Sequence, residues 1–116
     1  MIKKNIKILM VSSSSKLGGG PKLMFSLGES LADKFDFFYA LPDSKNFSNY
    51  LKNENYIFIK EREINLKDIL KMVKFIKKNK IDLIHAHGKG ASAISRIIKI
   101  FISKPIIYTF HGIHLS

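Results

Sequence analysis

The sequence predicts an α/β fold, a doubly wound parallel sheet in a single domain. Three observations predict it. Short apolar runs alternate with helix-periodic stretches along the 116 residues. The first run, Lys7-Ile8-Leu9-Met10-Val11, is almost continuously apolar, as a strand covered on both faces should be. Two later runs, one through Asp82 to His87 and one from Pro105 to His111, each end in histidine followed by glycine. In open parallel sheets ligands bind beyond the carboxyl ends of the strands. Two such ends carrying imidazole and glycine predict one polar site at that edge.

Taken in order, residues 6–12 form the first strand, and a serine- and glycine-rich loop follows from Ser12 to Gly20. A helix is predicted from Pro21 to Lys34, because proline lacks only an N–H that the first turn leaves unpaired. Leu23, Met24, Leu27 and Leu31 recur at helical spacing and should face the sheet. A strand over 36–41 is closed by Pro42-Asp43, residues 47–52 suit a short helix, and 55–60 a third strand. The helix over 65–79 has Asn65 as its N-cap and Asp68 at the positive end of its dipole. Its apolar stripe is Leu66, Ile69, Leu70, Val73 and Ile76, with Lys67, Lys71, Lys74 and Lys78 mostly opposite. The helix over 89–103 should bury Ile94, Ile97, Ile98 and Phe101 before Lys104-Pro105 stops it. The expected sheet has the first strand central, with the fourth and fifth on one side and the second and third on the other.

Composition narrows the function classes. The chain has no cysteine, so disulfides and thiolate metal sites are excluded. No segment reaches the ~18 apolar residues of a membrane span, and the start lacks a signal peptide's apolar region. The expected location is cytoplasmic, with peripheral contact at the inner membrane face. The net charge of +11 favours anionic partners, although lysine-rich composition by itself accounts for it equally well. Aromatic residues are not interleaved with lysine in a nucleic-acid motif, so no nucleic acid is expected.

Three places carry candidate chemistry. Lys16, Gly18, Gly19, Gly20 and Lys22 lie between the first strand and its helix. There the backbone can approach a ligand closely, and unpaired helix N–H groups attract phosphate or carboxylate. The alternative is a plain flexible turn. The glycines lack the spacing of a dinucleotide fingerprint or a P-loop. His85 and His87, two apart on a strand, face the same way. Without a nearby carboxylate or cysteine they make a poor metal site, so no metal is expected. They suit a polar ligand, or one of them is a satisfied structural histidine. His111, followed by Gly112, lies just past the fifth strand and suits a hydroxyl or phosphate. His114 is nearer the chain end.

Together, Gly19-Gly20-Pro21-Lys22, Asp82-Leu83-Ile84-His85-Ala86-His87 and Tyr108-Thr109-Phe110-His111-Gly112 resemble the N-terminal half of family 4 glycosyltransferases. These have the two-domain GT-B fold, and the resemblance runs from Lys7 to His114. It implies a Rossmann-like, acceptor-side domain of an enzyme moving a sugar from a nucleotide-sugar to an acceptor. It also implies retention of anomeric configuration, no catalytic metal and no cofactor. By resemblance, Gly19, Gly20 and Lys22 belong to the donor-diphosphate loop, and His111 is the catalytic histidine near the reacting sugar. His85, His87 and Gly112 line the cleft.

In that family a second domain carries the main nucleotide-sugar site and paired glutamates. The sequence ends at Ser116, so a missing or separate C-terminal domain is expected, and negligible transfer by the chain alone. The expected acceptor is a cell-surface polysaccharide or glycolipid. The rival expectation is a noncatalytic α/β binding module that pairs with a separate partner chain.

Overall fold

A computed structural model of the chain describes residues 5–14, 19–51 and 55–109. Five strands and three helices alternate. They are β1 (Ile6–Ser12), α1 (Gly19–Ser30), β2 (Phe35–Leu41), β3 (Tyr56–Phe58), α2 (Leu66–Lys78), β4 (Leu83–His87), α3 (Lys89–Phe101) and β5 (Ile106–Thr109). The strands form one sheet in the order β3-β2-β1-β4-β5, and every neighbouring pair is parallel. The expected topology, with β1 central, is therefore the observed one.

Alternation along β1 sends its side chains into two cores. Leu9 and Val11 join Ile84, Ala86 and the inner faces of α2 and α3. Ile8 and Met10 join Met24 and Phe25 of α1, together with Tyr39, Leu41 and Phe47. One layer of two helices and one layer of a single helix thus cover the central strands.

The cap at Asn65 forms as expected. Its side chain accepts the Asp68 N–H at 2.9 Å, and the Asp68 carboxylate accepts the Lys60 N–H at 2.8 Å and an Asn65 amide N–H at 3.0 Å. Asp68 is buried, so its charge is spent fastening the β3–α2 connection.

The helical faces differ in places from the expected ones. In α2, Ile69, Val73 and Ile76 are buried, but Leu66 is 66% and Leu70 48% exposed. Met72 and Phe75 are buried instead, and Phe75 meets Phe38 of β2 edge-on. In α1, Phe25 takes the inner position that Leu23 was expected to hold, because its ring stacks on Tyr50 at 4.4 Å and tilts against Tyr39 and Phe47. In α3, Phe101 is half exposed while Ile102, just past the helix, is buried. The short helix is a 3₁₀ turn over Lys45–Phe47, started by the Ser44 side chain, which accepts the Asn46 N–H.

Gly28 of α1 lies against the Tyr39 hydroxyl so closely that a Cβ would collide with it. The phenol is held under the helix. Burial, helped by the nearby Glu29 charge, pushes its pKa up from 10 to about 12. The folded state thus holds this proton more tightly than the unfolded state does. The resulting stability is fully present below pH 10 and is lost as pH rises through 12. Tyr39→Phe should lack this component. Denaturant midpoints followed from pH 10 to 12 should fall more steeply for the native chain than for the variant.

Candidate functional site

The carboxyl ends of β1, β4 and β5 stop together. Register places Ser12 of β1 opposite His87 of β4, and His87 opposite Thr109 of β5. Parallel strands put all three following connections on one edge. The amino ends of α1 and α3 start at that same edge, with their first N–H groups unpaired by helix geometry.

The β1 end is folded back on itself. The Ser14 N–H donates to the Ser12 hydroxyl oxygen at 3.3 Å, a local turn that serine supports. The Ser13 carbonyl accepts the Arg62 N–H at 3.0 Å. Arg62 has φ of 53°, so the β3–α2 connection bends to reach this edge.

The β4 end turns through Gly88, whose φ is 91° and ψ 171°. Only glycine adopts that conformation without strain. The Gly88 N–H donates to the Thr109 carbonyl at 2.8 Å, which ties the start of α3 to the end of β5. The Gly88 carbonyl accepts the Ser92 N–H at 3.0 Å and the Ser92 hydroxyl at 2.7 Å. Two residues on, Gly90 abuts Ser13 so closely that a Cβ would overlap the serine hydroxyl, and it would sit 3.1 Å from Ser13 Cβ. Absence of a side chain at Gly90 is what lets the β1 loop and the first turn of α3 touch.

His85 and His87 share a face, with ring centroids 4.1 Å apart and planes 29° apart. His85 Nε2 and Thr109 Oγ1 share a hydrogen bond of 2.7 Å. His87 is 4% exposed, and its Nε2 approaches the Met10 sulfur at 3.4 Å. The half-buried imidazole is therefore fixed by β5, and the buried one packs on β1.

Gly19 and Gly20 lie in the first turn of α1 rather than in the loop before it, so the helix starts two residues earlier than Pro21. Lys22, in the same turn, is exposed. Lys16, Gly18, His111, Gly112 and His114 lie outside the described residues. Sequence reasoning placed Ser13 in the first loop and Thr109 in the last motif without giving either a role, and it passed over Gly90. Thr109 had a signal, since it ends an apolar strand-like run two residues before His111 in sequence. The Ser13–Gly90 contact had none, because it joins residues far apart in sequence.

The family model for Glycosyltransferase Family 4 matches residues 17–115. Among solved structures, HepE of Anabaena in complex with UDP and glucose is similar, with 20% identity and a TM-score of 0.71. That match covers 94% of this chain and 30% of HepE. The UDP complex of HepE matches with 22% identity and a TM-score of 0.72, over 96% of this chain and 30% of that one. The chain thus spans about a third of the length of these structures, and the likeness establishes the fold. No curated protein matches.

The edge makes a stability prediction. Gly88→Ala should cost about 1–3 kcal/mol, because the backbone there is one that a Cβ strains. Gly90→Ala should cost a similar ~1–3 kcal/mol through overlap with Ser13. Adding Ser13→Gly should recover much of the Gly90→Ala loss but none of the Gly88→Ala loss. Denaturation of the single and double variants checks this.

Proposed function

Because the chain belongs to Glycosyltransferase Family 4, we propose that it forms the acceptor-side wall of an enzyme that moves a sugar from a nucleotide-sugar to a polysaccharide or glycolipid. The observation that carries the reading is the alignment of three strand ends, β1, β4 and β5, with two helix N-termini at one edge. HepE, which shares the fold, is a protein solved with UDP and glucose. That supports a nucleotide-sugar as the donor class.

In this proposal the donor diphosphate approaches the first turn of α1 at Gly19 and Gly20. No Cβ stands in the way there, and the helix N–H groups offset negative charge. Lys22 adds a positive charge to the same turn. As the bond to the leaving nucleotide breaks, these fixed dipoles stabilise the charge that develops on the diphosphate. His111, just beyond β5, orients the hydroxyls of the reacting sugar. Thr109 holds His85, and the Gly88–Thr109 hydrogen bond sets where the chain leaves β5. Gly112 completes the wall, and buried His87 backs it from beneath, packed on Met10 of β1. Transfer proceeds with retention and draws on these donors rather than on a metal.

The test is turnover of UDP-glucose by the complete enzyme and its variants. His111→Ala should lower kcat by about 10²-fold or more while leaving Tm nearly unchanged. Gly19→Val should instead weaken donor binding. If both variants stay folded with normal turnover and donor affinity, the site lies elsewhere.

The acceptor side is proposed to rest on an anionic membrane surface through α2. Leu66 and Leu70 are exposed on that helix, and Lys67, Lys74 and Lys78 are exposed beside them. Apolar anchors flanked by lysine are the composition of an interfacial helix. No helix among the described residues is long and apolar enough to cross a membrane. Binding to phosphatidylglycerol vesicles should be weak and should fall further between low and physiological salt, where charges are screened within ~8 Å. Lys67→Glu with Lys74→Glu should abolish it in cosedimentation.

A further inference from the structure

The two-helix layer carries a feature that the transfer reaction does not use. Leu66, Leu70 and Lys77 fall on one side of α2 at helical spacing, and Ile97, Ile100 and Phe101 on one side of α3. Lys77 and Phe101 line the same notch, so these sides face each other across the groove between the helices. Besides Leu66 and Leu70, Ile100 is 78% and Phe101 47% exposed, and Ile97 is half-buried. Single exposed apolar residues are ordinary, whereas a strip of them marks a binding surface. The strip ends in a notch of about 370 Å³ between the carboxyl ends of α2 and α3. That is at the small end of the ~300–1,000 Å³ of ligand clefts. Buried Ile76, Ile81 and Ile102 close its floor, and the Phe101 ring is its open wall.

The rim of the notch is cationic. Lys77 and Lys80 are exposed on it and Lys104 is half-buried. Lysine near a helix carboxyl end complements the dipole, which places about −0.5 charge there. Three ammonium groups meet two such ends, which leaves an excess of roughly +2. From Leu66 to the end of the sequence two residues are acidic. Asp68 is buried and accepts the Lys60 N–H, and Asp82 accepts the Lys7 N–H at 2.9 Å. Among the described residues no carboxylate lines the notch. Lys80 also has φ of 53°, a left-handed helix-end position that glycine usually takes. The chain thus holds an ammonium group on the rim at a position where any side chain is disfavoured.

These features select a ligand class. A free phosphate would match the ammonium groups and leave the apolar strip uncovered. A neutral alkyl chain would cover the strip and leave the charge unmatched. A second copy of this face would bring the same excess of lysine and be repelled. A flat bilayer can rest on the exposed strip but cannot enter a notch between two helix ends. A single-chain anionic amphiphile meets both features, with charge-assisted hydrogen bonds at its head and apolar burial along its tail.

We propose that the notch binds one anionic amphiphile. Its phosphate or carboxylate head sits among Lys77, Lys80 and Lys104, and its alkyl chain lies on Phe101 and the groove between α2 and α3. The ligand is taken as a single molecule, not as part of a membrane surface. The notch lies at the opposite edge of the sheet from the reaction, and its chemistry does not depend on the transferase reading.

The experiment is isotope-edited NMR of the 116-residue chain at physiological salt, titrated with n-decyl phosphate below its micelle-forming concentration. Decyl maltoside, which has the chain without the charge, and inorganic phosphate, which has the charge without the chain, are titrated in parallel. Decyl phosphate should shift the Lys80, Ile97 and Phe101 signals saturably, with a Kd on the order of 1 mM. Lys77→Gln with Lys104→Gln should weaken that binding about tenfold with Tm unchanged. Lys34→Gln with Lys45→Gln, which removes the same charge from exposed positions elsewhere, should leave it unchanged. The proposal is overturned if decyl phosphate does not shift these signals, or if either control ligand binds as tightly. It is also overturned if both lysine pairs weaken binding equally, which would make the effect one of net charge. The Lys67→Glu, Lys74→Glu variant separates the notch from the membrane face. It should keep its decyl phosphate affinity within about threefold, because screening limits the reach of those charges. Complete loss of that affinity would show that the notch is not a separate site. Decyl phosphate binding by a chain that ignores vesicles leaves this proposal standing and counts against the membrane reading.

Discussion

Strand β1 has a neighbour on each side and a helical layer on each face, so its side chains have no freedom of assignment. Leu9 and Val11 must enter one core, and Ile8 and Met10 the other. A slip of one residue would exchange the two sets and open both cores. Burial of such a side chain is worth roughly 1.5–3 kcal/mol, so the penalty for slipping is a large fraction of a small domain's stability. The register of β1 against β2 and β4 is thereby locked, and the rest of the sheet inherits it.

The carboxyl edge is built on that lock. Ser12, His87 and Thr109 line up only because three strands share one register. The loops beyond them are then joined by backbone rather than by side chains. Ser13 is held by Arg62 and touches Gly90, and Gly88 holds Thr109. Most of these contacts require glycine or a carbonyl, so the described part of the edge is fastened with few side chains.

Strand positions, topology and the Asn65 cap were legible in the sequence, because each rests on local chemistry: apolar runs, alternation and a side chain that meets its own helix. Helical faces were less so. The spacing of Leu66 and Leu70 is as apolar as that of Met72 and Phe75, and the contacts that favour the second pair, such as Phe38 of β2 against Phe75, come from distant parts of the chain. Phe25 displaced Leu23 for the same kind of reason, through rings contributed by Tyr39, Phe47 and Tyr50. At the candidate site, the histidines on one face of β4 followed from strand periodicity. The contacts of Gly90 with Ser13 and of Gly28 with Tyr39 did not, since nothing local distinguishes such a glycine from one in a loose turn.

The central place of β1 has a consequence for how the chain acquires its shape. Lys7 donates its N–H to the Asp82 carboxylate, a partner 75 residues away, and β1 pairs with β4 only after everything between them exists. During synthesis β1 therefore emerges early and waits. It can find β2 soon after, but its other edge stays open until β4 has left the ribosome. Long-range parallel pairing of this sort forms slowly, and an open apolar strand edge invites association with other chains in the interval. The strand that specifies the finished molecule is thus also the most vulnerable part of the nascent one, and the crowding of neighbouring polypeptides matters most before β4 has emerged.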